Sequence, residues 1–171
     1  MRRSDIDIHF VKIDDFIGEI NDLVPISNYK TIQFRSDLAG LSVVAMAATY
    51  ETCVKETLYD FANRHYVAFR NFFLRNFNKI NSRIQVSDLK KYCETFDPIV
   101  CTYFKEELKQ RKNLLLQRVG RNIKSSYEQI LSWRHNFAHA GIRNTTIEEA
   151  ATTHRFAKRI NYIFNEAFSK T

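Results

Sequence analysis

The segment Trp133-Arg134-His135-Asn136-Phe137-Ala138-His139-Ala140-Gly141 concentrates side chains that can do chemistry. Two of the five histidines, together with an arginine and an asparagine, fall within six consecutive positions of it. An imidazole can take up or release a proton near neutral pH, and a guanidinium can neutralise the charge that develops on a phosphate. These residue types therefore fit phosphoryl transfer without a metal ion.

The spacing of the segment places these groups near one another if it is helical. His135 and His139 are four positions apart, so both imidazoles would lie on one face of a helix. Arg134 and His139 differ by about 140° around the helix and about 7.5 Å along it, a separation that a long guanidinium side chain can bridge. The end of the helix at Gly141 favours a protonated His139, which suits a proton donor or a phosphate ligand.

Two other interpretations of the same segment stay open. Polar side chains at a helix end can serve the structure alone, by hydrogen bonding to the backbone. The H-x-x-x-H spacing also occurs in zinc sites, but H-E-x-x-H chemistry needs a glutamate after the first histidine, and Asn136 stands there. Because no further cluster of metal ligands is evident, we expect neither a metal nor another cofactor.

A set of amphipathic helices must position this segment. The periodicity of apolar residues and the capping signals predict helices over about 5–24, 37–77, 87–93, 98–119, 122–140 and 145–168. Asp97-Pro98 opens the fourth, Gly120 ends it, and Gly141 ends the fifth. The long second helix carries small residues in its first half, which let a neighbouring helix approach closely, and bulky aromatic residues in its second half. The small residues are Ala39, Gly40, Ser42, Ala45, Ala47 and Ala48.

The composition supports an all-α fold in a single domain. A chain of 171 residues fits one domain over 1–171. Four Gly and two Pro are too few for all-β folds or for Gly-rich nucleotide-binding α/β folds. We therefore predict an all-α chain, a single up-and-down helical bundle of five or six helices with a long second helix. Three cysteines without C-x-x-C spacing, no signal peptide and no long apolar run indicate reduced thiols, no membrane association and a cytoplasmic location.

The positive charge of the chain is confined to one region. The net charge is +7, and the stretch 109–143 holds eight basic residues and one acidic residue, so the remainder is neutral. Clustered Lys and Arg attract polyanions, although a solvated basic face is an alternative explanation. The basic residues are Lys109, Arg111, Lys112, Arg118, Arg121, Lys124, Arg134 and Arg143.

The motif and its setting resemble a known superfamily. Arg134-His135-Asn136-Phe137-Ala138-His139 is similar to the R-x4–6-H motif of HEPN domains, with the shorter spacing and a polar residue directly after the arginine. The stretch Ala47-Ala48-Thr49-Tyr50-Glu51 on a long second helix resembles the RiboL-PSP-like branch. The resemblance implies a HEPN-like helical domain and a metal-independent endoribonuclease that works as a homodimer, with both motifs meeting in one cleft.

The resemblance also implies roles for individual residues. His139 would be the general base or acid acting on the RNA 2′-hydroxyl, and Arg134 would hold the scissile phosphate. His135, Asn136 and Glu51 would position the substrate, although Glu51 can equally pair with Lys55 one helical turn away. The expected products carry a 2′,3′-cyclic phosphate and a 5′-hydroxyl. RNA contacts are expected from the basic residues Arg118, Arg121, Lys124 and Arg143.

The expected partners are RNA, a second copy of the chain, and an antitoxin or regulatory protein, because such domains often act as toxins or anti-phage effectors. The main alternative is a non-catalytic HEPN-like module that binds RNA, a nucleotide or a partner protein. A DNA-binding regulator is the weaker alternative, since the sequence offers no clear helix-turn-helix with a short Gly turn.

Overall fold

All regular secondary structure is helical in the residues that the computed structural model describes, which are 3–26, 31–65, 70–71, 75 and 84–170. This confirms the all-α class. The helices are α1 (Arg3–Leu23), α2 (Ile32–His65), α3 (Val86–Phe96), α4 (Pro98–Val119), α5 (Ile123–Ala140), α6 (Ile147–Ala157) and α7 (Arg159–Ser169).

The helix bounds depart from the sequence prediction in two places. Helix α2 begins at Ile32 rather than Asp37, and the predicted aromatic half of this helix, with Phe69, Phe72, Phe73 and Phe77, lies outside the described residues. The predicted sixth helix is interrupted at Lys158, which keeps helical backbone angles (φ −56°, ψ −19°) between α6 and α7. If α6 and α7 are counted as one helix with a break at Lys158, the described bundle has six helices, which agrees with the prediction of five or six.

The helix ends follow local sequence signals. Gly120 and Gly141 have φ of 65° and 63°, the left-handed conformation in which a side chain would be strained, and they end α4 and α5. The side chain of Asn122 accepts hydrogen bonds from the first turn of α5. The third helix is predicted to start at 87, but α3 starts at Val86. The cap is Gln85, and Asp88 completes a capping box by accepting from the Gln85 amide at 3.1 Å.

Helix α2 is the central element of the bundle, as its length predicts. It packs against α1, α5, α6 and α7. One continuous core forms around it from buried apolar residues of every described helix. In this core Phe104, Phe164 and Phe168 make edge-to-face and tilted ring contacts 4.8–5.9 Å apart. Each such side chain contributes roughly 1.5–3 kcal/mol on burial, so apolar packing holds the helices that carry the motif.

Helices α2 and α5 run antiparallel and approach closely at a small residue. Near one end of the pair the ring of Phe137 lies against Gly40, where a Cβ atom would overlap it. Near the other end Tyr50 stacks on Tyr127 with ring centroids 5.1 Å apart. The small-residue stretch of α2 therefore does what the sequence predicts, because Gly40 leaves room for a side chain of the motif itself.

Two further findings concern the burial of the cysteines and whether any helix is suited to cross a membrane. Cys53, Cys93 and Cys101 are buried free thiols, and burial raises the pKa of Cys53 to about 12, so this thiol is unreactive at neutral pH. None of the helices in the described part of the chain combines the length and apolar character that crossing a membrane requires.

Candidate active site

A cleft of about 710 Å³ lies between α2 and α5 and is closed at one side by the residues that precede α3. Its volume falls within the range of small-ligand sites. Since α2 and α5 are antiparallel, the cleft has two distinct ends, one near the C-terminus of α5 and one near Tyr50 and Tyr127. It is lined by Val44, Ala47, Ala48, Glu51, Ile84, Gln85, Glu128, Leu131, Ser132, Arg134, His135 and His139.

The end near the C-terminus of α5 is cationic. Arg134, His135 and His139 all line the cleft there. The two imidazole rings are 4.5 Å apart and tilted by 48°, and both histidines are exposed. Among the described residues, the half-buried guanidinium of Arg134 has no hydrogen-bond or ion-pair partner, so it can receive an anion. The structure thus brings together the three motif side chains that the sequence predicts to share a site.

Local packing fixes the orientation of the C-terminal part of α5, which carries the cationic residues of the cleft. Trp133 is buried, with 5% of its surface exposed, and Phe137 lies against Gly40. These two side chains, four positions apart, hold the inner face of α5 and leave the histidines on the open face. The amides of Gly141 and Ile142 donate to the carbonyls of Phe137 (3.0 Å) and Asn136 (3.3 Å), which completes the helix end. Stacking of a nucleobase on Trp133 is excluded by its burial.

The opposite end of the cleft carries carboxylates. Glu51 accepts a hydrogen bond from Lys55 at 2.6 Å, with both side chains at most 21% exposed. Glu128 lies 3.5 Å from Lys124, and these two side chains are about half exposed. Between the ends, Val44, Ala48 and Leu131 are among the residues that give the cleft an apolar middle. Glu51 therefore lines the same cleft as Arg134. It also forms the ion pair with Lys55 that the sequence analysis gave as the alternative to a role in positioning the substrate.

Several predicted site residues lie elsewhere. Asn136 is not among the cleft-lining residues, and its carbonyl takes part in the helix end. Arg118 and Arg121 are exposed at the α4–α5 turn, at the far end of α5 from the motif. Arg143 forms an ion pair with Asp37. Arg134 therefore lines the cleft, whereas the other predicted RNA-binding residues of the basic segment lie outside its lining.

Three polar cleft residues were missed by the sequence analysis. Ser132 and Glu128 precede His135 by three and seven positions, so helical periodicity alone places them on the same face, and this signal was available. Gln85 reaches the cleft through the packing of α3, for which no local signal exists. A metal centre finds no support in the described ranges, where no three His, Cys, Asp or Glu side chains form a group that could bind an ion.

The fold and the site together define an all-helical domain whose cleft presents one arginine and two histidines to a ligand. The chain belongs to the RiboL-PSP-HEPN family, because the model of that family matches residues 5–170. This confirms the resemblance to the HEPN superfamily and to its RiboL-PSP-like branch. No curated protein matches the chain, and no solved structure matches it. Family membership supports a HEPN module with a nuclease-related or RNA-related role.

Proposed function

We propose that this protein is a metal-independent endoribonuclease in which Arg134 and His139 are the catalytic residues and His135 assists the proton transfers. The observation that carries the proposal is the shared cleft, where an arginine that has no hydrogen-bond or ion-pair partner in the described part of the chain lies beside two exposed imidazoles 4.5 Å apart. Both groups needed for transesterification, a proton carrier and a phosphate ligand, are thus within one site of suitable size.

The proposed reaction uses the RNA itself as the nucleophile. An imidazole takes the proton of the ribose 2′-hydroxyl, and the 2′-oxygen attacks the adjacent phosphorus. The bond to the 5′-oxygen of the next nucleotide breaks, and that oxygen receives a proton from an imidazolium. The products are a 2′,3′-cyclic phosphate and a 5′-hydroxyl. Arg134 binds the nonbridging oxygens, which gain charge in the transition state, and His135 supplies a second imidazole for the proton transfers.

The proposed working form is a homodimer. Phe34, Leu41 and Ile142 are 57%, 49% and 50% exposed, and the Arg143–Asp37 ion pair joins the segment that follows α5 to this part of α2. Exposed apolar side chains beside the cationic end of the cleft suit an interface with a second copy. We expect Leu41→Asp to shift the mass measured by light scattering from dimer to monomer, whereas Ile99→Asp, at a residue on α4 that is also exposed, leaves it unchanged.

The biological role that fits such an activity is a cytoplasmic toxin or anti-phage effector held in check by an antitoxin or regulatory protein. The exposed Arg118 and Arg121, together with Lys124, which pairs with Glu128 of the cleft wall, extend the RNA-binding surface beyond the cleft in this proposal. Arg143 contributes at the other end, from its ion pair with Asp37.

The test is RNA cleavage in EDTA with total tRNA and a DNA oligonucleotide of matched sequence. We expect the native protein to cleave only RNA and to leave cyclic phosphate ends, and we expect Arg134→Ala and His139→Ala to abolish cleavage. Arg155→Ala and His65→Ala are matched controls at exposed positions outside the cleft, and we expect them to retain activity. Cleavage that persists in both cleft variants would place the reaction at another site.

The second candidate is a non-catalytic module that binds RNA or a nucleotide. The exposed basic residues at the α4–α5 turn favour it, because they lie far from the motif and serve binding rather than chemistry. Salt-sensitive RNA binding by the native protein, without cleavage in the same samples, would select this function.

A further inference from the structure

The two ends of the cleft differ in charge, with Arg134 and the histidines at one end and carboxylates at the other. This arrangement indicates which ligand the cleft could bind, in addition to which reaction it could catalyse. Glu128 lies six positions before Arg134 on α5, which is about 9 Å along the helix axis. It lies seven positions before His135, on the same face of the helix. One nucleotide spans this separation from its 3′-phosphate to the Watson–Crick edge of its base. The apolar middle, with Val44, Ala48 and Leu131, lies where the faces of the base and ribose would rest.

We propose that the cleft holds one guanine nucleotide, on the 5′ side of the scissile phosphate, and that the Lys124–Glu128 ion pair reads its base. This inference rests on the proposed function and adds a specificity to it. The 3′-phosphate of that nucleotide lies at Arg134 and its 2′-hydroxyl at the histidines, so that its base extends toward Glu128.

The chemistry of the ion pair selects the base. A carboxylate only accepts hydrogen bonds and has two oxygens side by side, while an ammonium only donates. The Watson–Crick edge of guanine presents the N2 amino donor, the N1–H donor and the O6 acceptor in that order, so its two donors complement Glu128 and its acceptor complements Lys124. Adenine and cytosine place a ring-nitrogen lone pair, and uracil a carbonyl oxygen beside its N3–H, where the carboxylate requires a donor, so these bases are disfavoured.

The two carboxylates at this end of the cleft differ in their availability. Glu51 is held by Lys55 at 2.6 Å with both side chains mostly buried, so it forms part of the wall. Glu128 and Lys124 are 3.5 Å apart and about half exposed. An exposed and loosely paired ion pair contributes little to stability, and both of its partners can turn toward a base at small cost.

The experiment is calorimetric titration with the 3′-monophosphates of guanosine, inosine, adenosine, cytidine and uridine. We expect the native protein to bind 3′-GMP about tenfold or more tightly than the others, with 3′-IMP intermediate because it lacks only the N2 amino group. Glu128→Gln replaces one acceptor by a donor and should abolish the preference. Glu106→Gln, the same change at an exposed position of α4 outside the cleft, should preserve it.

Equal affinities for the five nucleotides, no binding of any of them, or a preference that survives in Glu128→Gln would overturn the proposal. A melting temperature of Glu128→Gln equal to that of the native protein would show that the loss of the guanine preference is not caused by unfolding. Cleavage of DNA oligonucleotides that contain one ribonucleotide separates the two proposals. Guanine-selective binding without cleavage keeps the base site and rejects the ribonuclease, whereas equal cleavage after all four bases keeps the ribonuclease and rejects the base site.

Discussion

The same turns of α2 and α5 build two opposite environments. Tyr50 and Tyr127 face the core, where they are fully buried and stacked. The residues that directly follow them, Glu51 and Glu128, line the cleft. Because successive residues of a helix are about 100° apart, one helix pair supplies both an aromatic core layer and a polar wall. The packing of Tyr50 against Tyr127 in the core therefore also fixes the positions of the helix turns that carry Glu51 and Glu128.

The histidines of the two environments differ in the same way. His154 is fully buried, its Nδ1 lies 2.7 Å from the Tyr50 hydroxyl, and its ring stacks on that of Tyr50. Burial, with a smaller effect of Lys158, lowers the pKa of His154 to about 4, so it is neutral at physiological pH. His135 and His139 are exposed to any ligand in the cleft. The environment rather than the residue type decides which imidazole can exchange protons with a substrate.

The largest expected effect is a contrast between two variants: His139→Ala should lose activity but keep its stability, and His154→Ala should lose stability. His139→Ala should lower RNA cleavage about 10²- to 10⁴-fold, the usual contribution of a general acid or base, with an unchanged melting temperature. His154→Ala should destabilise the fold by about 2–5 kcal/mol through the cavity it leaves and the buried Tyr50 hydroxyl it deprives of a partner. Cleavage kinetics and thermal unfolding of both variants measure this difference.

The comparison breaks down if His154→Ala loses cleavage at temperatures where it is fully folded. That result would assign the core histidine a part in the reaction. It would equally break down if His139→Ala unfolded at a much lower temperature than the native protein, because His139 would then serve the structure.

The second prediction concerns the pH dependence of stability. The pKa of His154 is about 4 in the folded protein and near 6.5 in the unfolded chain, so protonation favours unfolding. The contribution is fully present above pH 6.5 and is lost as the pH falls toward 4, by about 3 kcal/mol in total. Urea unfolding between pH 4 and 7 measures it. His154→Gln cannot titrate, and its stability should change less over this range by that amount.

The third prediction tests the contact that joins core and cleft. Gly40→Ala should lower the stability by about 1–3 kcal/mol, because the new methyl group overlaps the ring of Phe137. It should also reduce cleavage, since Phe137 lies within the motif. Gly18→Ala is the matched control, with nothing within 4 Å of the added Cβ, and it should raise the stability by about 1 kcal/mol. Thermal unfolding and cleavage rates that respond identically in both variants would contradict the role of Gly40.

The smallest effect is expected at the far end of α5. Asn122→Ala removes the side-chain cap that accepts from the amides of Lys124 and Ser125, at a cost of about 1 kcal/mol. Cleavage at 25 °C should stay at the native level, because the cap lies at the other end of the helix from the motif. Thr146→Ala, which removes the cap of α6, is the comparable change in another helix. A loss of activity in Asn122→Ala alone would indicate that the helix start takes part in RNA binding.

Much of the fold could be predicted because its signals are local. The ends of α4 and α5 follow from Asp97-Pro98, Gly120 and Gly141, whose backbone preferences act without any tertiary partner. The helical class follows from the scarcity of Gly and Pro and from apolar periodicity. The capping register at Gln85 and the break at Lys158 were not predicted, because they depend on how α3 and α7 pack against the rest of the bundle.

The candidate site divides along the same line. Arg134, His135 and His139 could be grouped from sequence because they share one helix and its period. The placement of Asn136 outside the cleft follows from its helical angle, about 100° from His135, so that expectation went further than the helix geometry allowed. Gln85 joins the cleft through contacts between residues far apart in the chain, and no pattern in the sequence encodes them.

By itself, the sequence determined that the chain is helical, where most of its helices end, and that one short segment combines an arginine with two histidines. The tertiary structure alone decided that this segment opens into a cleft with Glu51 and Glu128 at its other end, and that His154 is buried beneath it. The physical reason is that periodicity specifies which face of a helix is apolar, whereas the neighbour that covers the face is selected by packing. Gly40 illustrates this: its lack of a side chain is visible in the sequence, but that Phe137 occupies the space is a property of the folded protein.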